Sequence, residues 1–81
     1  MKTIIYTADA AKTLDGLPRD IRAQITGDLE QYAMDGIGDV KALVNRPGYR
    51  LRSGRYRVIF AEDAATVLAI TIGKRETTTY R

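Results

Sequence analysis

Four arginines, Arg50, Arg52, Arg55 and Arg57, fall in the run Tyr49-Arg50-Leu51-Arg52-Ser53-Gly54-Arg55-Tyr56-Arg57. Charged and apolar side chains alternate there on both sides of a Ser-Gly pair. Alternation with period two is the mark of a β-strand with one buried face, and Gly54 supplies the positive φ that a tight hairpin turn needs. With Ser53 and Gly54 as the loop, Arg52 stands opposite Arg55 and Arg50 opposite Arg57, while Leu51 faces Tyr56 and Tyr49 faces Val58 on the other side. One face is then all arginine and the other all apolar. Like charges directly opposite each other destabilise a ladder by ~0.2–1 kcal/mol per pair, so such a face points to an anion lying on it, a polyphosphate above all. Solvated strand faces and guarded sheet edges also use arginine. They ordinarily mix signs, and no Glu or Asp interrupts this run.

The charge of the chain is distributed to match. Lys and Arg outnumber Asp and Glu by 13 to 10, a net +3 that alone decides little. Residues 1–45 carry five basic and seven acidic side chains, 5 − 7 = −2, whereas residues 46–81 carry eight and three, 8 − 3 = +5. The basic half is the half with the hairpin, as a surface facing nucleic acid requires. The absence of cysteine and histidine excludes disulfides, thiolate or imidazole metal sites and a histidine general base. Chemistry is left to Arg, Lys, Tyr or a carboxylate, with no cofactor and no metal expected. No apolar run approaches a membrane span and none reads as a secretory leader, so a soluble cytoplasmic protein is expected. At 81 residues, 1–81 is read as one domain.

The elements that must hold the hairpin can be taken in order. Thr3-Ile4-Ile5-Tyr6-Thr7 is a short β-branched strand. Thr7 then suits an N-cap for a short helix over Ala8 to Leu14, with Asp9 in its first turn and Gly16 ending it. Leu17-Pro18 opens a longer helix in which Ile21, Ile25, Leu29 and Tyr32 recur on one stripe, a core face. Gly27 inside it costs about 1 kcal/mol against alanine and is read as a point of close packing. Residues 35–39 are a loop, and Val40 to Val44 fit either a turn of helix or an extended segment with Val40, Leu43 and Val44 under the sheet. Asn45-Arg46-Pro47-Gly48 is a turn that delivers the chain into the hairpin. Tyr56 to Ala61 and Thr66 to Ile72 are strands.

The expected architecture is α+β, a small antiparallel sheet in the order β-α-α-β-β-β with two helices packed on one face. An odd loop of Asp63-Ala64-Ala65 between the last two strands would put Leu68, Ile70 and Ile72 in the core with Tyr56, Val58 and Phe60. Ala69 and Thr71 would then lie beside the arginines and leave a shallow dish, rimmed by Lys74, Arg75 and Tyr80. Lys74 and Arg75 also suit a strand-end turn, Tyr80 a terminal apolar anchor, and Arg55 a phosphate contact or a solubilising charge.

Leu-Pro opening the second helix, Asp-Val-Lys-Ala-Leu and Arg-Pro-Gly-Tyr-Arg-Leu-Arg before the hairpin turn, Gly-Arg-Tyr-Arg-Val-Ile-Phe after it, and Ile-Gly-Lys-Arg-Glu near the end form an ordered set. In this order they resemble the RelE/ParE superfamily of bacterial type II toxins over nearly the whole chain, and the basic set resembles the RelE-like mRNA interferase branch.

That resemblance implies a RelE-like fold, a cognate antitoxin protein as partner, and ribosome-dependent cleavage of mRNA by metal-independent attack of the ribose 2′-hydroxyl on the adjoining phosphate. Such a reaction needs a proton acceptor, cationic donors for the charge on phosphorus, and an acid for the leaving oxygen. By resemblance, Arg57 and Arg75 stabilise the phosphate and protonate the leaving group, and Tyr80 stacks on or orients the RNA. Arg50, Arg52, Arg55 and Lys74 would bind RNA. Arg50 and Arg52 stand where well-known RelE members have lysines, and a guanidinium releases its proton far less readily than an ammonium. Which group acts as base is left open. The alternatives are a ParE-like inhibitor of DNA gyrase and a non-catalytic module that binds RNA or the ribosome.

Overall fold

In the computed structural model, which describes residues 1–74, the order is β1 (Thr3–Tyr6), α1 (Ala8–Asp15), α2 (Arg19–Asp35), β2 (Asp39–Ala42), β3 (Tyr49–Ser53), β4 (Tyr56–Glu62) and β5 (Thr66–Lys74). The strands form one sheet, β1-β5-β4-β3-β2. The α+β class and the placing of both helices on one face are as expected. The antiparallel β-α-α-β-β-β order is corrected in two respects. Residues 39–42 form a fifth strand at the sheet edge, and β1 pairs with β5 in parallel. The short β2 gives little hydropathy signal because only Val40 on it packs against the core, while Val44, expected under the sheet, is 82 % exposed.

Local chemistry explains the helix ends. Thr7 Oγ1 accepts a hydrogen bond from the Ala10 backbone at 3.1 Å and caps α1. Gly36 ends α2 with φ 77°, its N–H donating to the Tyr32 carbonyl at 2.8 Å, the left-handed cap for which glycine is favoured. A Cβ on Gly27 would meet nothing within 4 Å among the described residues, which gives no close packing there to explain that glycine.

The core joins Ala10, Ile25, Leu29 and Ala33 of the helices to Leu51, Val58, Phe60, Val67, Ala69 and Ile72 of the sheet. Burying each large apolar side chain contributes about 1.5–3 kcal/mol. On β5 this overturns the expectation of Leu68, Ile70 and Ile72 as the core face. Asp63 Oδ1 accepts from the Ala65 and Thr66 backbones at 2.8 and 2.9 Å and the Asp63 N–H donates to the Thr66 carbonyl. This closes a four-residue loop between the paired Glu62 and Val67. An even loop turns Val67 and Ala69 inward and Leu68 outward. Farther along, Phe60 pairs with Ala69 but Ile59 with Thr71, so Ile70 is the extra residue of a bulge. The bulge restores the phase and sends Ile72 into the core. Thr7 anchors it, donating its hydroxyl to the Ile70 carbonyl at 2.7 Å.

On the helix side of the sheet, Lys2 Nζ lies 2.6 Å from Glu62 Oε1 and the Tyr32 hydroxyl donates to Glu62 Oε2 at 2.7 Å. Burial opposes the ionisation of Glu62, but hydrogen bonds from Lys2 and Tyr32 outweigh it and hold the carboxyl below its ordinary 4.5. Burial, then the Glu62 hydrogen bond and charge, push the Tyr32 phenol from 10.0 up to about 12. The lowered carboxylate contributes stability above its unfolded value that is lost as pH falls through the folded one. The raised phenol contributes stability below 10.0 that is lost as pH climbs toward about 12. Melting temperature against pH should fall at both ends. In Tyr32→Phe both falls should be shallower, the alkaline one retaining a part from Tyr6, whose phenol burial also raises.

Candidate nucleic-acid interface

The hairpin closes one step later than its sequence suggests. Ser53 pairs with Tyr56 and Arg52 with Arg57, leaving Gly54 and Arg55 as the loop. Glycine with φ 60° at the first loop position is the pattern of a type II′ turn. Ser53 is drawn into the strand because its side chain is wanted inside. It is 1 % exposed, donates to Asp28 Oδ2 at 2.6 Å and accepts from Gln24 Nε2 at 3.4 Å, which ties the hairpin to α2. A Cβ on Gly54 would meet the amide of Gln24, the end of a flexible side chain that would have to turn away from Ser53.

The register correction moves the pairing by two residues, so each strand keeps its faces. Leu51, Val58 and Tyr56 point toward the helices. Arg50, Arg52 and Arg57 share the opposite face, with Arg50 across from Ile59 and Arg52 across from Arg57. Arg55 does not join them; it is exposed at the hairpin tip. Lys74 stands opposite Tyr56, on the helix-bearing face by alternation, so it lies at the sheet's end and not beside the arginines. Arg75 and Tyr80 lie outside the described residues.

Two residues of β2 extend the face. Lys41 pairs with Arg50 and Asp39 with Arg52, an assignment invisible while residues 40–44 could be read as helix. The alternation Asp39-Val40-Lys41-Ala42 was the available signal. Arg52 Nη1 is 3.8 Å from Asp39 Oδ2, both groups partly exposed, a contact worth little on its own. The Arg52 Nε is buried without a hydrogen-bond partner among the described residues. Arg50, Arg57 and Lys41 have no ion-pair or side-chain hydrogen-bond partner among them. Cations spaced ~6.6–6.8 Å along a strand and ~4.8 Å across strands can each take a separate phosphate oxygen, and guanidiniums can do so bidentately.

Beside Arg57 the sheet carries little side-chain bulk among the described residues. Its partner on β5 is Gly73, where a Cβ would meet nothing within 4 Å among the described residues. Thr71, opposite Ile59, is the next outward residue. Of the two small residues expected beside the arginines, Thr71 faces outward and Ala69 belongs to the core. The other end of the same face is apolar. Ile5, Ala61 and Leu68 line a shallow cavity of about 290 Å³ with Glu62, Asp63 and Thr66, and Ile70 stands exposed nearby on β5. One sheet face thus carries a basic half and an apolar half.

No protein family matches the sequence, and no curated protein matches it. Solved structures do match. The RelBE2 toxin–antitoxin complex of Mycobacterium tuberculosis superposes with a TM-score of 0.78 at 24 % identity, over 91 % of this chain and 98 % of that one. The archaeal RelE–RelB complex of Pyrococcus horikoshii gives 0.80 at 19 % over 95 % and 98 %, and the YoeB dimer of Staphylococcus aureus 0.75 at 16 % over 93 % and 98 %. Superposition over nearly the full length of each chain shows a shared fold: the fold is RelE-like.

Proposed function

We propose that this chain is the toxin of a type II toxin–antitoxin pair and cleaves mRNA on the ribosome without a metal ion. The observation that carries the reading is the gathering of Arg50, Arg52, Arg57 and Lys41 on one face, with Asp39 as the only carboxylate in register with them among the described residues. Arg57, without an ion-pair or hydrogen-bond partner among the described residues and beside the side-chain-free Gly73, is suited to the charge that grows on phosphorus during attack by the 2′-hydroxyl. Arg50 and Arg52 would hold flanking phosphates, and Arg55 and Lys74 would add contacts at the hairpin tip and sheet end. Arg75 and Tyr80 keep the roles implied by resemblance, protonation of the leaving 5′-oxygen and stacking on RNA.

The RelE-like fold supports the toxin reading, and the toxin–antitoxin complexes among its structural relatives support a small antitoxin as partner. An antitoxin segment with acidic and apolar residues would suit both halves of the outer face. Primer extension on message in translating ribosomes, with and without the protein, tests the activity: new stops only on ribosome-bound message are expected. Full-length message together with inhibition of gyrase supercoiling would move the assignment to a ParE-like action. Binding without either effect would leave an RNA-binding module.

A further inference from the structure

The arginine face depends on a hairpin whose sequence allows two closures. Ser53-Gly54 and Gly54-Arg55 each make a two-residue loop containing the glycine that a tight turn favours. The first would set Arg50 opposite Arg57 and Arg52 opposite Arg55, whereas the second sets Arg52 opposite Arg57 and leaves Arg55 at the tip. The closure decides which cations lie together. In the observed one Ser53 belongs to β3, is the only buried polar residue among the described residues, and donates its hydroxyl to Asp28 Oδ2 at 2.6 Å. In the other, residue 53 would sit at the tip, off the strand that carries it to Asp28. From this geometry, we propose that Asp28 is a positioning residue of the phosphate site, holding Arg52 and Arg57 side by side through Ser53, an inference that rests on the nuclease reading.

The path from Asp28 to the arginines is short. Ser53 pairs with Tyr56, and the next residues inward on the two strands are Arg52 and Arg57, so fixing the first pair fixes the second. β2 pairs with β3 only as far as Asp39 opposite Arg52. Beyond that point α2 takes over from the missing neighbour strand. Gln24, one turn before Asp28 on the same helix face, donates to the Ser53 hydroxyl at 3.4 Å, and its amide lies against Gly54. Asp28 and Arg52 also line, with Leu51, a cavity of about 160 Å³ between the helix and the sheet edge. The hold acts against a repulsion, because Arg52 and Arg57 are like charges directly opposite each other. A short hydroxyl-to-carboxylate hydrogen bond is of the stronger, charge-assisted kind, and Asp28 has no ion-pair partner among the described residues to compete for it.

A residue that only stabilised the fold would lower the melting temperature and leave the rate of folded protein unchanged, so the test is made well below the unfolding transition. Single-turnover cleavage and binding on programmed ribosomes are compared for wild type, Asp28→Ala, Asp28→Asn and Ser53→Ala. Asp28→Ala and Ser53→Ala should cleave ~10–10²-fold more slowly, the effect of misplacing a reacting group by about 1 Å, with ribosome binding much less affected. Asp28→Asn keeps an acceptor for the Ser53 hydroxyl and should restore most of the rate. Combining Asp28→Ala with Ser53→Ala should add little to either, since both remove one bond. NMR of the free protein reads the register itself. Arg52 and Arg57 form the non-hydrogen-bonded pair next to Ser53 and Tyr56, with Cα atoms about 4.5 Å apart. Their Hα–Hα contact should be strong in wild type and Asp28→Asn and weakened in Asp28→Ala and Ser53→Ala.

Folded Asp28→Ala that cleaves at the wild-type rate, or Asp28→Asn as slow as Asp28→Ala, would overturn the positioning role and leave the nuclease reading standing. So would an undiminished Arg52–Arg57 contact in a slow Asp28→Ala. A wild type that cleaves nothing would remove both. Should Asp28→Ala fail to fold, Ser53→Ala decides by the same two measurements.

Discussion

Arg57→Ala is expected to slow single-turnover cleavage of ribosome-bound message by at least ~10²-fold, the scale seen when one preorganised donor to a developing charge is removed. The structure makes this a clean substitution. Arg57 is exposed, stands between Arg52 and Gly73 in the sheet, and has no ion-pair or hydrogen-bond partner among the described residues. Its truncation leaves no buried group unsatisfied, and relief of the facing Arg52 charge should hold the melting temperature or raise it slightly. Ribosome binding should fall much less than cleavage, because Lys41, Arg50 and Arg52 still contact phosphates. A binding module would respond otherwise, with a modest loss of affinity for each basic residue removed and a salt slope smaller by about one phosphate. Arg75→Ala carries the same expectation on resemblance. Unchanged cleavage in both variants would put the active site elsewhere.

The faces of the hairpin were legible in the sequence because a strand's side chains alternate strictly. A two-residue error in register therefore moved Arg55 off the face and left Arg50, Arg52 and Arg57 on it. The error itself came from Ser53, which looks like a turn residue but is held in the strand by Asp28 and Gln24, a long-range demand that local composition does not record. The β5 core was misread for a related reason. Leu68, Ile70 and Ile72 are bulkier than Val67 and Ala69, yet the Asp63 turn fixes an even loop and the Ile70 bulge then reverses the phase. Bulk alone could not reveal either event. Lys41 was lost with β2, a four-residue edge strand whose pairing with β3 is what gives its alternation meaning.

Phe60→Ala is expected to cost about 3–5 kcal/mol, the usual range for truncating a buried aromatic, against the roughly 4–12 kcal/mol of total stability ordinary for a chain of this size. Phe60 is fully buried, with Tyr32 edge-on at 5.3 Å and Tyr49 stacked at 5.5 Å. It also sits where the β4–β5 register shifts, so the loss is not confined to a cavity. With its ring gone, less holds Ala69 opposite position 60, and the regular pairing that would turn Ile72 outward becomes more accessible. Phe60→Leu keeps most of the volume and should cost under about 1.5 kcal/mol. Urea midpoints, with m-values checked for constancy, would measure both. If the nuclease reading holds, cleavage by Phe60→Ala should fall with its folded fraction and return when a stabilising osmolyte refolds it, whereas the Arg57→Ala defect should persist in fully folded protein. A Phe60→Ala midpoint close to wild type would mean that Tyr32, Tyr49 and the bulge hold the β4–β5 register without it.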